Sequence, residues 1–439
     1  MATYLGMRGT GDWSTDERPK NFREGILFDN PNGIAPLTAI LSKMSNTKVD
    51  DPEYSWWTQE YPTQSATISV SHGGHTVHSN AGLTTEVDGL GNEADAGEDV
   101  WVGVATTALR NQFKVGHQVV LRNPSRPDRD VNGRVTDVDN AVADTGGSPA
   151  VNLYPIGIKL LESEHADDTL EHSTVLQVVG NVNEEGSTRP SAQALDPTKH
   201  YNYTQIFRTA HEVTRTASKT RLRTKEALAG TRRDSLEFHM MEIEKAFLFG
   251  VRGEDVTGTN PMRTTDGIIS AIRRNTPANV SDFATNGGGT WAAKGKAFME
   301  DELEKIFRYG DNLKIALCGS GALLGLNRLA GTDADINITP GERSYGIRIQ
   351  EWVTPFGTLD LLTHPLMSDI ASTRNSLLIL EPKRLKYRFI DDTTFIQDNL
   401  KNRGGNNSVD AYQEEYLTEC GLEYSHTRAM GYLTQIGVG

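Results

Sequence analysis

The chain has 439 residues, 37% hydrophobic and 23% charged, enough for two or three cores of ordinary domain size and too apolar for a disordered polymer. Its 58 Asp plus Glu against 44 Lys plus Arg give a formal net charge of −14, which argues against general binding of nucleic acid, since phosphate binding needs a basic surface. No stretch approaches the roughly 18 consecutive apolar residues of a membrane helix, and Met1–Lys20 lacks the basic-then-apolar pattern of a signal peptide, so the chain is expected to act in a cytosol, away from membranes.

Residues 1 to about 60 are rich in turn formers. Within them Ile34, Leu37, Leu41 and Met44 recur at spacings of three and four, and Pro31 and Pro36 punctuate the start. This predicts an extended arm with a short helix over Ile34–Met44. Residues 61 to about 200 read as β-rich with long turns. Val115 to Leu121 is a turn into a strand, Asn132-Gly133 is a tight-turn signal ahead of the alternating Arg134–Val138, and Val151–Leu161 is a further strand. A small β-domain at about 98–165 is expected within this excursion.

Asn202 to Ala217 alternates loosely and predicts one strand. A long helix is predicted from about Leu222 to Phe249, with Leu236, Met240, Ile243 and Phe247 on one face and Gly250 as its cap. Gly230 marks either a bend in it or its start, for which Thr231 and Asp234 are suited. Residues 265–370 alternate helix and strand: Lys294–Tyr309 with Met299, Leu303 and Ile306 on one face, the strand Leu313–Cys318, the helix Ala322–Ala330, then two strands around Thr354-Pro355-Phe356-Gly357. Leu377–Leu380 is a buried strand, Leu385, Tyr387 and Phe389 alternate with Lys386, Arg388 and Ile390, and Tyr416, Thr418, Cys420, Leu422 and Tyr424 share one parity. Cys318 and Cys420, the two cysteines, are expected reduced and buried at strand positions.

Asp128, Asp130, Asn132 and Gly133 match a calcium loop at positions 1, 3, 5 and 6, but the twelfth position is Asp139 instead of Glu and neither flank is helical. The competing reading is a hairpin turning at Asn-Gly with solvated acids. Asp333, Asp335 and Asn337 repeat the spacing and fail at Ile338. His72, His75 and His78 are interrupted by Gly73-Gly74, which favours a polar loop over zinc. Gly319-Ser320-Gly321 sits between strand and helix without the spacing of a phosphate loop or a nucleophile elbow, and His211-Glu212 lacks a second histidine. No residue is therefore assigned a catalytic, cofactor-binding or metal-ligating role, no cofactor is expected, and the chain reads as a non-enzyme. Charge is unevenly spread. Ser79 to Leu109 holds Glu86, Asp88, Glu93, Asp95, Glu98 and Asp99 and no Lys or Arg, whereas Arg208 to Arg233 holds eight basic residues, among them Arg208, Arg215, Lys219, Arg221, Arg223, Lys225, Arg232 and Arg233. These are either two solvated faces or surfaces that pair between neighbouring subunits; in the second case reversing Arg232 and Arg233 blocks assembly and leaves the monomer folded.

The order of parts resembles the Hong Kong 97-type fold of tailed-bacteriophage major capsid proteins. The resemblance is carried by Pro31–Thr38 with Trp56-Trp57-Thr58, by Asn202–Phe207, by Glu242–Gly250, by Val353–Leu359, and by Leu380-Glu381-Pro382 with Glu414–Glu423. It implies an α+β chain with an N-terminal arm over 1–60, an E-loop region over 61–200 carrying the inserted β-domain, a P-domain with a spine helix over 201–265, an A-domain over 266–370 and closing P-domain strands over 371–439. It further implies hexamers and pentamers of the chain itself, scaffolding, portal and decoration proteins as partners, double-stranded DNA enclosed without sequence-specific binding, assembly in a host bacterial cytoplasm and residence in the virion. Expansion of a rounded precursor shell would move the spine helix and E-loop, with Gly230 as a place for the spine to bend. Two rivals stand beside this: another virion protein of tail tube or decoration type, and a cytosolic α/β enzyme read from 294–330.

Overall fold

The computed structural model describes residues 46–68, 77–79, 97, 99–138, 143–144, 152–163, 175–190, 192–220, 227–332, 338–344, 347–397 and 411–438. The expected arm helix, most of the acidic run, His72, His75, Asp139 and Asp333–Asn337 lie outside them. The chain divides into two compact units, Met1–Thr58 with Lys199–Gly439, and Gln59–Thr198. The first begins with the strands β1 (Asn46–Lys48) and β2 (Glu53–Thr58).

The second unit is an antiparallel sheet. It comprises β3 (Ser65–Thr67), β4 (Val77–Ser79), β5 (Asp99–Val104), the turn of helix α1 (Thr107–Arg110), β6 (His117–Arg122), β7 (Val131–Val138), β8 (Ala143–Asp144), β9 (Asn152–Leu160) and β10 (Val175–Asn181). The strand order is β3-β10-β6-β7-β9-β5-β4, and an antiparallel bridge from Ile68 to Val104 links the end of β3 to β5. Six strands thus curl towards closure, which hides the sheet edges. Alternate residues fill the interior: Val119 and Leu121, Val131 and Val135, Ile156, Ile158 and Leu160, with Val102, Val104 and Leu176. Here one sequence expectation is corrected. Asn132-Gly133 makes no hairpin turn; it lies inside β7, where Gly133 pairs with Val119 on one side and Leu160 on the other. A side chain at Gly133 would run into Ile158, so glycine serves close packing of the strands there.

The first unit resumes with β11 (Thr198–Tyr203), β12 (Gln205–Thr214), α2 (Arg215–Lys219) and the long helix α3 (Ala227–Phe249). The single strand predicted over Asn202–Ala217 is two. β11 pairs with β2 and β12 with the later strand β22 (Ala411–Tyr424), and the buried Thr204 marks the handover by bonding Pro52 O at 2.8 Å. Gly230 lies inside α3 and is buried, so the helix does not start at Thr231. Gly250 follows the helix, but as a point of close approach: a Cβ there would meet Thr265 O at 2.7 Å.

The remaining elements are β13 (Gly253–Asp255), β14 (Met262–Thr264), α4 (Ile268–Asn275), β15 (Val280–Asp282), α5 (Phe283–Asn286), α6 (Trp291–Phe307), β16 (Leu313–Cys318), α7 (Ser320–Thr332), β17 (Ile338–Ser344), β18 (Ile347–Thr354), β19 (Gly357–Thr363), α8 (Pro365–Asp369), β20 (Leu377–Leu380), β21 (Leu385–Ile396) and β23 (Gly431–Thr434). Two sheets organise them. A four-stranded sheet runs β1-β21-β22-β12, and a seven-stranded mixed sheet runs β15-β23-β20-β16-β19-β18-β17. The larger sheet draws β20 and β23 from the last 69 residues, across the 371 boundary drawn from sequence. Its two faces serve two cores. Leu377 and Ile379 join α6 and α7 through Met299, Leu303, Ile306 and Leu326, whereas Leu378 and Leu380 join α3 and α4 through Phe247, Leu248, Ile269 and Ile272. Burial on both faces explains why β20 reads as an unbroken apolar run.

Candidate functional site

Helix α3 departs from its sequence pattern. Leu236 is 38% exposed, and the buried positions are Gly230, Ser235, His239, Ile243, Glu244, Phe247 and Leu248. The C-terminal half meets an apolar core; the N-terminal half lies on polar rows of β12 and β22. There His239 Nε2 bonds Thr418 Oγ1 at 2.7 Å and Nδ1 bonds Thr209 Oγ1 at 3.0 Å. Arg232 grips Glu414 through both Nε and Nη2, the first donating to Oε2 at 2.6 Å. His211 Nε2 reaches the same Oε2 at 3.0 Å, and Phe395 stacks on the His211 ring and beneath the Arg232 guanidinium. At the apolar end, Glu244 Oε1 takes His364 Nε2 at 2.8 Å, with both side chains fully buried.

The protonation of these groups follows from their partners. Nδ1 of His211 and Nδ1 of His364 are buried without a hydrogen-bond partner among the described residues. The nitrogen that faces the carboxylate is therefore the one that carries a hydrogen, and each ring donates its Nε2–H to a glutamate. The Arg232 guanidinium holds the Glu414 carboxyl below the usual glutamate range, with His211 adding to it against the opposing effect of burial. Burial pushes His239 below the usual imidazole range. Both shifts lower a folded-state pKa, so both contribute stability that is present above the unfolded values and lost as pH falls. The His239 part is lost first, below about pH 6.5 where the unfolded imidazole takes up a proton. The urea midpoint of the unassembled subunit should therefore fall between about pH 7.5 and pH 5.5, and His239→Gln should flatten that fall. An unchanged slope in the variant would remove His239 from the account.

Two further polar seams tie the first unit together, and neither was identified from sequence. Asn202 donates to Leu422 O at 2.7 Å and accepts from Asp266 N at 2.8 Å; Asp266 in turn receives Arg274 Nη1 at 2.7 Å and Tyr424 Oη at 2.8 Å. Lys314, fully buried, donates to Tyr309 O at 2.9 Å and Ala429 O at 3.0 Å and lies 3.7 Å from Glu381, which also binds Arg384. Burial lowers the Lys314 amine below the usual lysine range. Among these residues Asn202, Glu381, Leu422 and Tyr424 stood in segments singled out from sequence, but nothing there announced their pairing.

Of the sequence-nominated metal residues, Asp128, Asp130 and Asn132 are described, and each is engaged with a different partner. Asp128 pairs with its neighbour Arg129, Asp130 with Arg122 at 2.8 Å, and Asn132 donates to Glu162 Oε1 at 2.7 Å from within a strand. Among the described residues no three His, Cys, Asp or Glu gather as a metal site. Gly319 and Ser320 form the strand-to-helix turn, with Ser320 N donating to Ser368 Oγ at 3.1 Å. Cys318 and Cys420 are buried and free, on β16 and β22, and burial pushes the Cys420 thiol up to about 12. Three of the eight basic residues of the run are used within the chain: Arg208 pairs with Glu415, Arg232 with Glu414 and Arg233 with Glu237. This corrects the expectation that reversing Arg232 would leave the monomer folded, because its partner is a fully buried carboxylate of the same chain.

The profile of the SU10 major capsid protein family matches residues 8–437. A major capsid protein of Pseudomonas phage PaMx41 is 25% identical over 431 residues, covering 95% of this chain and 89% of the relative. Among solved structures, a chain from Microbacterium phage Oxtober96 is 12% identical with a TM-score of 0.40, covering 95% of both chains. A chain from the capsid of a native GTA particle is 7% identical with a TM-score of 0.41, covering 94% of this chain and 95% of the other.

Proposed function

The chain belongs to the SU10 major capsid protein family, and from that premise we propose how its parts build a phage shell. As a major capsid protein it self-assembles and resides in the virion. The family match over residues 8–437 is the observation that carries this, since it spans both compact units. Our reading of the parts is a Hong Kong 97-type one: residues 1–60 as the arm, 61–200 as the E-loop region with its inserted β-domain, α3 as the spine helix of the P-domain, 266–370 as the A-domain and 371–439 as closing strands. The autonomous sheet of Gln59–Thr198 and the 23-residue α3 lying on a four-stranded sheet support it. Scaffolding and portal proteins, a decoration protein and assembly in the host cytoplasm complete the proposal.

Shell building needs contacts that are individually modest, so that wrong ones dissociate, and closed symmetry sums them into a stable whole. The polar seams serve this by holding the subunit's own elements in fixed register, leaving surface side chains for neighbours. In the family's expansion step α3 would shift over β12 and β22, and Gly230 is where its helix bends most easily. Quantitative mass spectrometry of purified virions tests the reading. This chain should be the most abundant protein of emptied heads; a copy number comparable with minor tail components would contradict it.

A further inference from the structure

The first unit holds a cavity of ≈ 750 Å³ between α6, β15 and the glycines that follow α5. That is the size of a small-molecule site, about 300–1,000 Å³. Helix α6 lines it with Lys294, Phe298, Asp301, Glu302 and Lys305, whose spacing puts them along one face. Glu302 is 4% exposed; its Oε1 takes Lys305 Nζ at 2.8 Å, and its Oε2 is buried without a hydrogen-bond partner among the described residues. Such an oxygen is costly to bury unless a donor reaches it, and none comes from the described residues of this chain. Lys294 and Asp301 lie two helical turns apart, about 10 Å along the axis, too far to pair with each other. Neither forms an ion pair or hydrogen bond among the described residues. The Lys294 stem lies close against the loop before the helix: a Cβ on Gly289 would stand 3.1 Å from Lys294 Cγ.

The cavity therefore has balanced charge with its poles apart. Lys294 stands at one end, Asp301 and the open Glu302 oxygen stand at the other, and Phe298 lies between them on the same face. We infer that it binds a small zwitterion of the ω-amino acid class, with an ammonium at Asp301 and Glu302, a short aliphatic chain along Phe298 and a carboxylate on Lys294. A diamine would set a second cation against Lys294, and a dicarboxylate would set an anion against Asp301. A divalent metal ion fits less well, because Lys305 already occupies one Glu302 oxygen and Lys294 lines the same cavity. The inference goes beyond the shell reading and does not rest on it.

The probe is 8-aminooctanoate, whose charged ends match the span from Lys294 to Asp301, titrated into the full chain and followed by saturation-transfer NMR of the ligand. A molecule of this size should bind with a Kd of about 1 mM. Octanoate and octane-1,8-diamine should each bind about tenfold more weakly, since each meets one pole with the wrong charge. Lys294→Gln should weaken 8-aminooctanoate about tenfold and leave the diamine no weaker, whereas Asp301→Asn should weaken both. Both side chains are exposed, so the urea midpoints of the two variants should stay with the parent and separate lost binding from lost fold. No transfer to 8-aminooctanoate at about 10 mM would overturn the inference. So would a diamine that binds as tightly as the zwitterion, or an affinity that neither substitution changes.

Discussion

Replacing Arg232 by Glu should destabilise the subunit itself by about 3–5 kcal/mol, since it removes the guanidinium that grips a fully buried Glu414 carboxylate and sets a second negative charge against it. His211 does not take over that role: it reaches the same oxygen through Nε2 alone, where Arg232 donates from two nitrogens to both carboxylate oxygens. The adjacent Arg233→Glu should cost under about 0.5 kcal/mol, because Arg233 is an exposed partner of Glu237 one turn along the helix. Urea denaturation of the unassembled protein separates the two. Equal midpoints for both variants would mean that the Arg232–Glu414 contact contributes nothing to the fold.

Phe247→Ala should also cost about 3–5 kcal/mol, a large share of a typical stability of about 5–15 kcal/mol. Phe247 is fully buried where α3 meets both sheets, with the Tyr387 ring edge-on at 6.1 Å. α4 packs into the same core through Ile268, Ile269 and Ile272, so the cavity would have rigid walls and little room to collapse. Phe238→Ala on the same helix is the control: that ring is 57% exposed, and its loss should change the midpoint by less than about 0.5 kcal/mol. A Phe247→Ala midpoint within error of the parent would place the anchor of α3 elsewhere.

Local pattern revealed what local forces decide. The apolar face Met299, Leu303 and Ile306 of α6, the strand Leu313–Cys318 and the turn at Pro355-Phe356 appear where their periodicity and turn residues put them. Asn132-Gly133 misled because the dipeptide serves equally in a tight turn and in a strand whose neighbours crowd it; the crowding residue, Ile158, is remote in sequence. The buried face of α3 misled because helical periodicity counts apolar residues only. Its Ser235 and His239 are buried, and His239 bonds the polar Thr209 and Thr418 of the sheet beneath. The candidate site was the least legible part. Arg232 and Glu414 are 182 positions apart, Glu244 and His364 are 120 apart, and a charged residue read alone looks like a solvated one. The chain topology alone brings such pairs together, and no spacing rule announces them.

The shell-building role is tested most directly by electron microscopy of the purified chain, with and without a scaffolding protein from the same phage. Closed shells, or the hexameric and pentameric rings from which they form, are the predicted result. A monodisperse monomer under every condition, scaffold included, would contradict it.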